Sequence, residues 1–188
     1  MIYNLLVSQA KRRPDKIAVV GDQRSLTFAR LRHSVDATAA HLQALNIKAE
    51  DPLLVGIPPS PEFYTLFFAA AALGATVIPV SPSAKFPAQF LDTRPALAIG
   101  TREFVDSCSK SCPSLHGALL WDRNNGLHLP DPVKPFVRRR AVRTRKVVAV
   151  SSSGTSGNPT VCYQSAELLL ERSKLKAKIL GVSSDDVL

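Results

Sequence analysis

Six hydroxyl side chains and two glycines crowd into the ten residues Ser151-Ser152-Ser153-Gly154-Thr155-Ser156-Gly157-Asn158-Pro159-Thr160. The apolar run Val147-Val148-Ala149-Val150 leads directly into them. A segment this poor in apolar groups cannot build a core. Placed after a buried strand, it can wrap a phosphate. Gly154 and Gly157 permit positive φ and let the backbone approach an oxyanion closely. Successive N–H groups and the intervening hydroxyls supply donors for such an anion cradle, and Pro159 stiffens the exit. The spacing is not that of a Walker A loop, because no G-K-[ST] follows, nor is it a G-x-G-x-x-G fingerprint. On composition alone the stretch also reads as a flexible linker or turn.

The other residues with chemical potential are scattered. Cys108 and Cys112 lie four apart with no paired histidine or second cysteine pair, so they read as reduced, buried thiols rather than metal ligands. His33 and His41 lie eight apart on one expected helix and read as surface histidines sharing a face. His116 and His128 flank a strand and a loop with nothing to orient them. Glu62 follows Pro61, and a helix first turn explains an acidic residue there. No Ser-His-Asp order can be assembled, and no catalytic base or nucleophile is named.

Alternating strands and helices must position the loop. Residues 3–12 carry Leu5, Leu6 and Ala10 at helical spacing and stop at Pro14. The runs 17–20 and 24–27 flank Gly21-Asp22, a hairpin signal. Thr27 can cap the next helix, where Phe28, Leu31, Val35, Ala39 and Leu42 recur three or four apart. The short apolar runs 53–57, 76–80, 96–99, 117–121 and 147–150 read as strands. Helices are expected from Pro61 to a Gly74 cap, over 87–91 and over 165–180. The alternation implies an α/β fold: a layered, mostly parallel sheet with helices on both faces. Ligands of such sheets sit at the carboxyl ends of strands, where Val150 delivers the loop.

Residues 150–161 resemble the glycine-rich ATP-phosphate loop of the adenylate-forming superfamily, which reads aromatic-T-S-G-[ST]-[ST]-G-x-P-K-G. That superfamily includes acyl-CoA synthetases, aryl-CoA ligases and peptide-synthetase adenylation domains. Ser152, Ser153, Gly154, Thr155, Ser156, Gly157 and Pro159 fall on the matching positions. Other segments resemble the same superfamily in the same order: Arg13-Pro14-Asp15-Lys16-Ile17-Ala18, Ser25-Leu26-Thr27-Phe28, and Phe67 through Pro82 with Leu73-Gly74-Ala75 and Val77-Ile78-Pro79. The resemblance covers nearly the whole chain and implies the N-terminal subdomain of an adenylate-forming enzyme. It implies ATP with Mg²⁺, a carboxylic acid substrate, and CoA or a carrier-protein thiol as acceptor. It places Ser152, Ser153, Gly154, Thr155, Ser156, Gly157, Pro159 and Thr160 on the ATP phosphates.

The departures are specific. The family's loop lysine is Thr160, the following glycine is Val161, the preceding aromatic is Ser151, and the histidine found after the loop is Ala166. Threonine cannot replace the full charge that lysine brings to a phosphate. At 188 residues the chain is far shorter than full members. The resemblance ends before the adenine-binding subdomain, the magnesium ligands and the C-terminal domain with its catalytic lysine. Residues 1–188 are therefore expected to be an N-terminal part of an AMP-binding domain, as a fragment, a truncated version or a degenerate short gene, and inactive alone. The alternative is a non-catalytic nucleotide- or acyl-binding module, or an assembly partner, built on the same fold.

Composition is that of a globular domain, with 45% hydrophobic and 21% charged residues. The strongly apolar run 63–80 is interrupted by Gly74, Thr76 and Pro79, so it is no membrane span. Met1-Ile2-Tyr3-Asn4 shows no signal-peptide pattern, and three cysteines make no disulfide framework. The expected setting is cytoplasmic. The net charge of +9 is concentrated in Arg138, Arg139, Arg140, Arg143, Arg145 and Lys146. That run has no interleaved aromatics for base stacking and sits in the Pro-containing stretch 123–146. It reads as a solvated basic connector rather than a nucleic-acid surface, and beside an ATP loop it would help gather a polyanion.

Overall fold

The computed structural model describes residues 2–22, 24–82, 86, 88–129, 135–137, 146–152 and 160–183. The chain opens with helix α1 (Ile2–Arg12) and an antiparallel hairpin of β1 (Ile17–Val20) and β2 (Ser25–Thr27), which forms its own two-stranded sheet. Thr27 ends the hairpin and caps α2 (Phe28–Ala44) by accepting from the Arg30 N–H. The main sheet then begins with β3 (Pro52–Gly56), followed by α3 (Pro61–Leu73) and β4 (Thr76–Pro79). A 3-10 helix (Ala88–Thr93), β5 (Leu97–Gly100), α4 (Arg102–Ser111), β6 (Gly117–Asp122) and β7 (Gly126–Leu127) come next. β8 (Val148–Ser151), β9 (Val161–Gln164) and α5 (Ala166–Leu180) complete the described elements.

The seven strands lie in the order β7-β6-β5-β3-β4-β8-β9. The five from β6 to β8 are parallel, and the two edges, β7 and β9, are antiparallel. Both faces are covered, so the central strands are apolar throughout rather than alternating. Leu53 and Val55 of β3 enter one core with Leu31, Val35, Ala39 and Leu42 of α2 and Leu66, Ala69 and Ala70 of α3. Leu54 points the other way, to Ile78, Ala98 and Ala149, beneath Phe90, Phe104, Val105 and Cys108. Each such leucine or valine, taken from water to a site of at most 5% exposure, contributes about 1.5–3 kcal/mol.

The expected strands and the sheet with helices on both faces are present. Three elements were not expected. α4 carries its apolar residues at Phe104, Val105 and Cys108, with Thr101 as cap. β7 lies inside the stretch read as an irregular connector and pairs with β6 through Trp121↔Leu127 and Asp122↔Gly126. β9 follows the hydroxyl-rich loop directly, where the chain was expected to run on into a helix. The helix expected over 87–91 is a 3-10 helix shifted toward Thr93.

Cys108 and Cys112 are buried and Cys162 is exposed. Burial, then the neighbouring Cys112, pushes the Cys108 thiol up to about 11. No three His, Cys, Asp or Glu side chains converge as a metal site among the described residues. Since the thiolate is the nucleophile, the folded chain is expected to take one equivalent of Ellman's reagent quickly at about pH 8, at Cys162. All three cysteines should react in denaturant. Mass spectrometry of the labelled peptides checks this, and fast labelling of Cys108 in the native chain would contradict its burial.

Candidate phosphate loop at the carboxyl edge of the sheet

β8 is held between β4 on one side (Val77↔Val148, parallel) and β9 on the other, in register from Val148↔Gln164 to Ser151↔Val161. The pairing continues one step past the strands. The Ser152 N–H donates to the Thr160 carbonyl at 2.9 Å, and the Thr160 N–H donates to Ser152 Oγ at 2.9 Å. Ser152 and Thr160 thus close the base from which residues 153–159 depart and return. Ser152 Oγ accepts one bond here and keeps its own O–H to donate. The Thr160 side chain is exposed. Gln89 Nε2 reaches Ser151 Oγ at 3.5 Å, so the 3-10 helix borders the end of β8. Of the residues expected at the phosphates, Ser152 and Thr160 are brought together. Ser153, Gly154, Thr155, Ser156, Gly157 and Pro159 lie outside the described residues, as does the expectation that this loop is exposed and mobile without nucleotide.

Strand order indicates where else a ligand would sit. From β3 the chain moves to β4 on one side, then crosses to β5 on the other, which makes the β3/β5 junction a topological switch point. The crevice there is filled by protein. A Cβ on Gly56 would stand 2.9 Å from Phe104 Cδ1, and one on Gly100 would stand 2.6 Å from the same atom. Phe104 is 2% exposed. Thr101 starts α4 immediately after β5 by accepting from the Phe104 N–H at 3.3 Å, which drops the ring onto both glycines.

A cavity of about 580 Å³ lies at the carboxyl edge between the hairpin, the start of α3 and the β6–β7 turn. Arg24, Glu62, Trp121 and Asn125 are among its lining residues. Glu62 is in the first turn of α3, as expected, but it also pairs with Arg24 across the cavity. Trp121 Nε1 is buried without a hydrogen-bond partner among the described residues. Asp122 organises the turn. Its Oδ1 accepts from the Asn124 and Asn125 amides at 2.8 and 2.7 Å, and its Oδ2 contacts His128 Nε2. The Asn125 amide, then His128, hold the Asp122 carboxyl well below the usual carboxylate range.

Several readings change here. His128 is oriented, by Asp122, because the tight turn folds the two residues together. His41 is buried, with Nδ1 2.8 Å from the Ala37 carbonyl, whereas His33 is exposed. Eight residues leave the two histidines about 80° apart on a helix, enough to put one inside and one outside. Lys146 lies just before β8. Its carbonyl accepts from Thr76 Oγ1 at 3.0 Å at the start of β4, and its ammonium lies 4.6 Å over the Tyr163 ring. Its backbone stands at the amino end of β8, while Tyr163, under its ammonium, pairs with Ala149 midway along the strand. Arg138, Arg139, Arg140, Arg143 and Arg145 lie outside the described residues. No helix among the described residues is long and apolar enough to cross a membrane.

Residues 6–167 match the family described as AMP-binding enzyme. Among curated proteins, vanchrobactin synthetase VabF of Vibrio anguillarum is 26% identical over 192 residues, covering 99% of this chain and 6% of that protein. The acetyl-coenzyme A synthetase of Penicillium chrysogenum is 26% identical over 149 residues, covering 68% of this chain and 22% of that enzyme. Among solved structures, o-succinylbenzoate CoA synthetase (MenE) from Bacillus subtilis in complex with the acyl-adenylate intermediate OSB-AMP superposes with a TM-score of 0.77 at 17% identity. That match covers 97% of this chain and 47% of the MenE chain. The chain thus spans a small part of its curated relatives and under half of that structure. It belongs to the AMP-binding enzyme family, of which it represents the N-terminal portion.

Proposed function

We propose that this chain supplies the phosphate-gripping part of an ATP-dependent carboxylate-activating ligase. The observation that supports it is the closed base formed by Ser152 and Thr160 at the carboxyl edge, in a chain of this family. In the proposed reaction a carboxylate oxygen attacks the α-phosphorus of ATP and pyrophosphate leaves, giving an acyl-adenylate. A thiol sulfur then attacks the acyl carbon and AMP leaves. Negative charge builds on the transferring phosphoryl group, and preorganised donors stabilise it. Ser152, Ser153, Thr155, Ser156 and Thr160 are proposed to donate to the β- and γ-phosphates, with Gly154 and Gly157 allowing close approach and Pro159 fixing the exit. Bound Mg²⁺ would neutralise phosphate charge, and its ligands are assigned to polypeptide beyond residues 1–188. No catalytic residue is assigned within the chain. The relatives include both a CoA and a tripeptide synthetase, so the proposed acceptor is a thiol of CoA or of a carrier protein.

A second reading, a nucleotide- or acyl-binding module without catalysis, is favoured by one residue: Thr160 stands where the family carries lysine. The readings separate by experiment. Purified residues 1–188 should show no carboxylate-dependent exchange of pyrophosphate into ATP across a panel of acids, whereas a chain continued through a whole AMP-binding domain should. Exchange by residues 1–188 alone would overturn the division of labour proposed here. ATP protection of Cys162 from labelling in the continued chain, without exchange, would move the binding-module reading ahead.

A further inference from the structure

The two ends of β8 are held differently. Among the described residues β8 joins the parallel ladder of β4 only at Val77↔Val148. From Ala149 to Ser151 its ladder partner is β9. Main-chain pairing thus does not tie the loop base at Ser152 and Thr160 to the parallel sheet. Side chains reach it instead. Ala149 faces the second core, with Phe90, Leu54 and Ile78. Ser151, two residues on, faces the same way, and Val161, its ladder partner, packs against that core too. On this face lies the 3-10 helix Ala88–Thr93, seated by Phe90 at 2% exposure. Thr93 Oγ1 donates to the Phe90 carbonyl at 2.6 Å, and the Phe86 N–H, just before the helix, donates to Ser107 Oγ of α4 at 3.0 Å. Phe90 thus fixes the neighbouring Gln89, whose Nε2 donates to Ser151 Oγ at 3.5 Å.

We propose that Gln89 is a positioning residue for the phosphate loop. Through Ser151 its amide ties the end of β8 to the core-seated 3-10 helix, so that the base at Ser152 and Thr160 stands in place before nucleotide arrives. The inference rests on the phosphate-loop reading above and adds to it a residue 62 positions from Ser151 in the chain. A base fixed beforehand loses less freedom when a ligand is gripped, which strengthens binding without adding a contact to the ligand. At 3.5 Å the bond is long, and hydrogen bonds at unliganded sites tighten as the ligand is bound. Ser151 can serve in both directions: its oxygen accepts from Gln89, and its O–H can donate to an acceptor in the same place. The bond is exposed, so it adds little to global stability. Its effect falls on local opening where β8 and β9 end.

Two measurements test it. In residues 1–188, hydrogen exchange of the Ser152 amide, which donates to the Thr160 carbonyl, reports opening of the base without nucleotide. Gln89→Ala should speed that exchange roughly 3- to 10-fold. Gln89→Glu, whose carboxylate can accept from the Ser151 O–H, should leave it near the unaltered rate. In the chain continued through the whole AMP-binding domain, calorimetric titration should show Gln89→Ala and Ser151→Ala each weakening ATP roughly 3- to 10-fold, with the thermal midpoint unchanged. The double variant should be no weaker than either single one, because both act on one bond. Unaltered Ser152 exchange in Gln89→Ala overturns the inference. So does additive loss of ATP affinity in the double variant, which would put Gln89 on the ligand itself. A continued chain that binds no ATP overturns the phosphate-loop reading and this inference with it, whereas ATP binding that ignores Gln89→Ala overturns this inference alone.

Discussion

Phe104→Ala is expected to destabilise the fold by about 3–5 kcal/mol, a fall in Tm of about 6–20 °C for a chain of this size. The ring is 2% exposed and fills the junction between Gly56 and Gly100, so its removal leaves a cavity walled by β3 and β5 backbone that cannot collapse. Gly100→Ala attacks the same contact from the other side. Its Cβ would stand 2.6 Å from Phe104 Cδ1 and 3.0 Å from the Gly56 carbonyl, and the second neighbour is backbone. Overpacking of this kind costs about 1–3 kcal/mol. Because both substitutions act on one contact, they should not add: Gly100→Ala combined with Phe104→Leu should be less damaging than the sum of the two alone. Urea unfolding of the four proteins measures this. A neutral Gly100→Ala would mean that the ring has room to move and that the switch-point crevice can open. A ligand could then sit two strands from the end of β8, at a crevice the phosphate-loop proposal does not use.

The parts of this architecture that were legible in the sequence are those buried on both sides. β3, β4 and β5 are short runs of uninterrupted apolar residues bounded by proline and glycine, because parallel strands under two helical layers carry no polar face. α2 and α3 announced themselves through Thr27, Pro61 and Gly74, whose cap geometry is local and so readable from local sequence. α4 was hidden because Arg102–Ser111 is rich in serine, a weak helix former, and its signal reduces to Thr101 followed by Phe104, Val105 and Cys108. β9 was hidden because an edge strand with exposed Cys162 and Tyr163 shows neither a continuous nor an alternating apolar pattern. For the site, the hydroxyl- and glycine-rich composition located the loop. The closing bonds between Ser152 and Thr160 depend on β9 and could not be read without it. Arg24 and Glu62 are 38 residues apart, and only the hairpin lying against α3 makes them neighbours. His41 was misread because α2 is buried over a wide arc that takes in Thr38 and His41 beside the expected stripe.

Thr160→Lys is expected to tighten ATP by about 1–2 kcal/mol, roughly 5- to 30-fold, in a chain continued through the whole AMP-binding domain. The main-chain N–H and carbonyl of residue 160 make the two bonds that close the loop base, and neither involves its side chain. The substitution therefore leaves the β8–β9 pairing intact and adds a cation at an exposed position on the carboxyl edge. The gain should shrink as salt rises, because an ammonium–phosphate contact near the surface is screened. Ser152→Ala should act differently. It removes the acceptor for the Thr160 N–H, loosening the base itself, and is expected to cost about 0.5–1.5 kcal/mol of stability. Thr155→Ala, which is proposed to remove only a phosphate donor, should weaken ATP by a similar amount without lowering stability. Calorimetric titration with ATP, run beside thermal unfolding, separates the three. If Thr160→Lys brings no gain and Thr155→Ala no loss, the stretch from Ser152 to Thr160 does not hold phosphate. The closed base would then be a structural hairpin end, and the non-catalytic binding module would become the better reading of this chain.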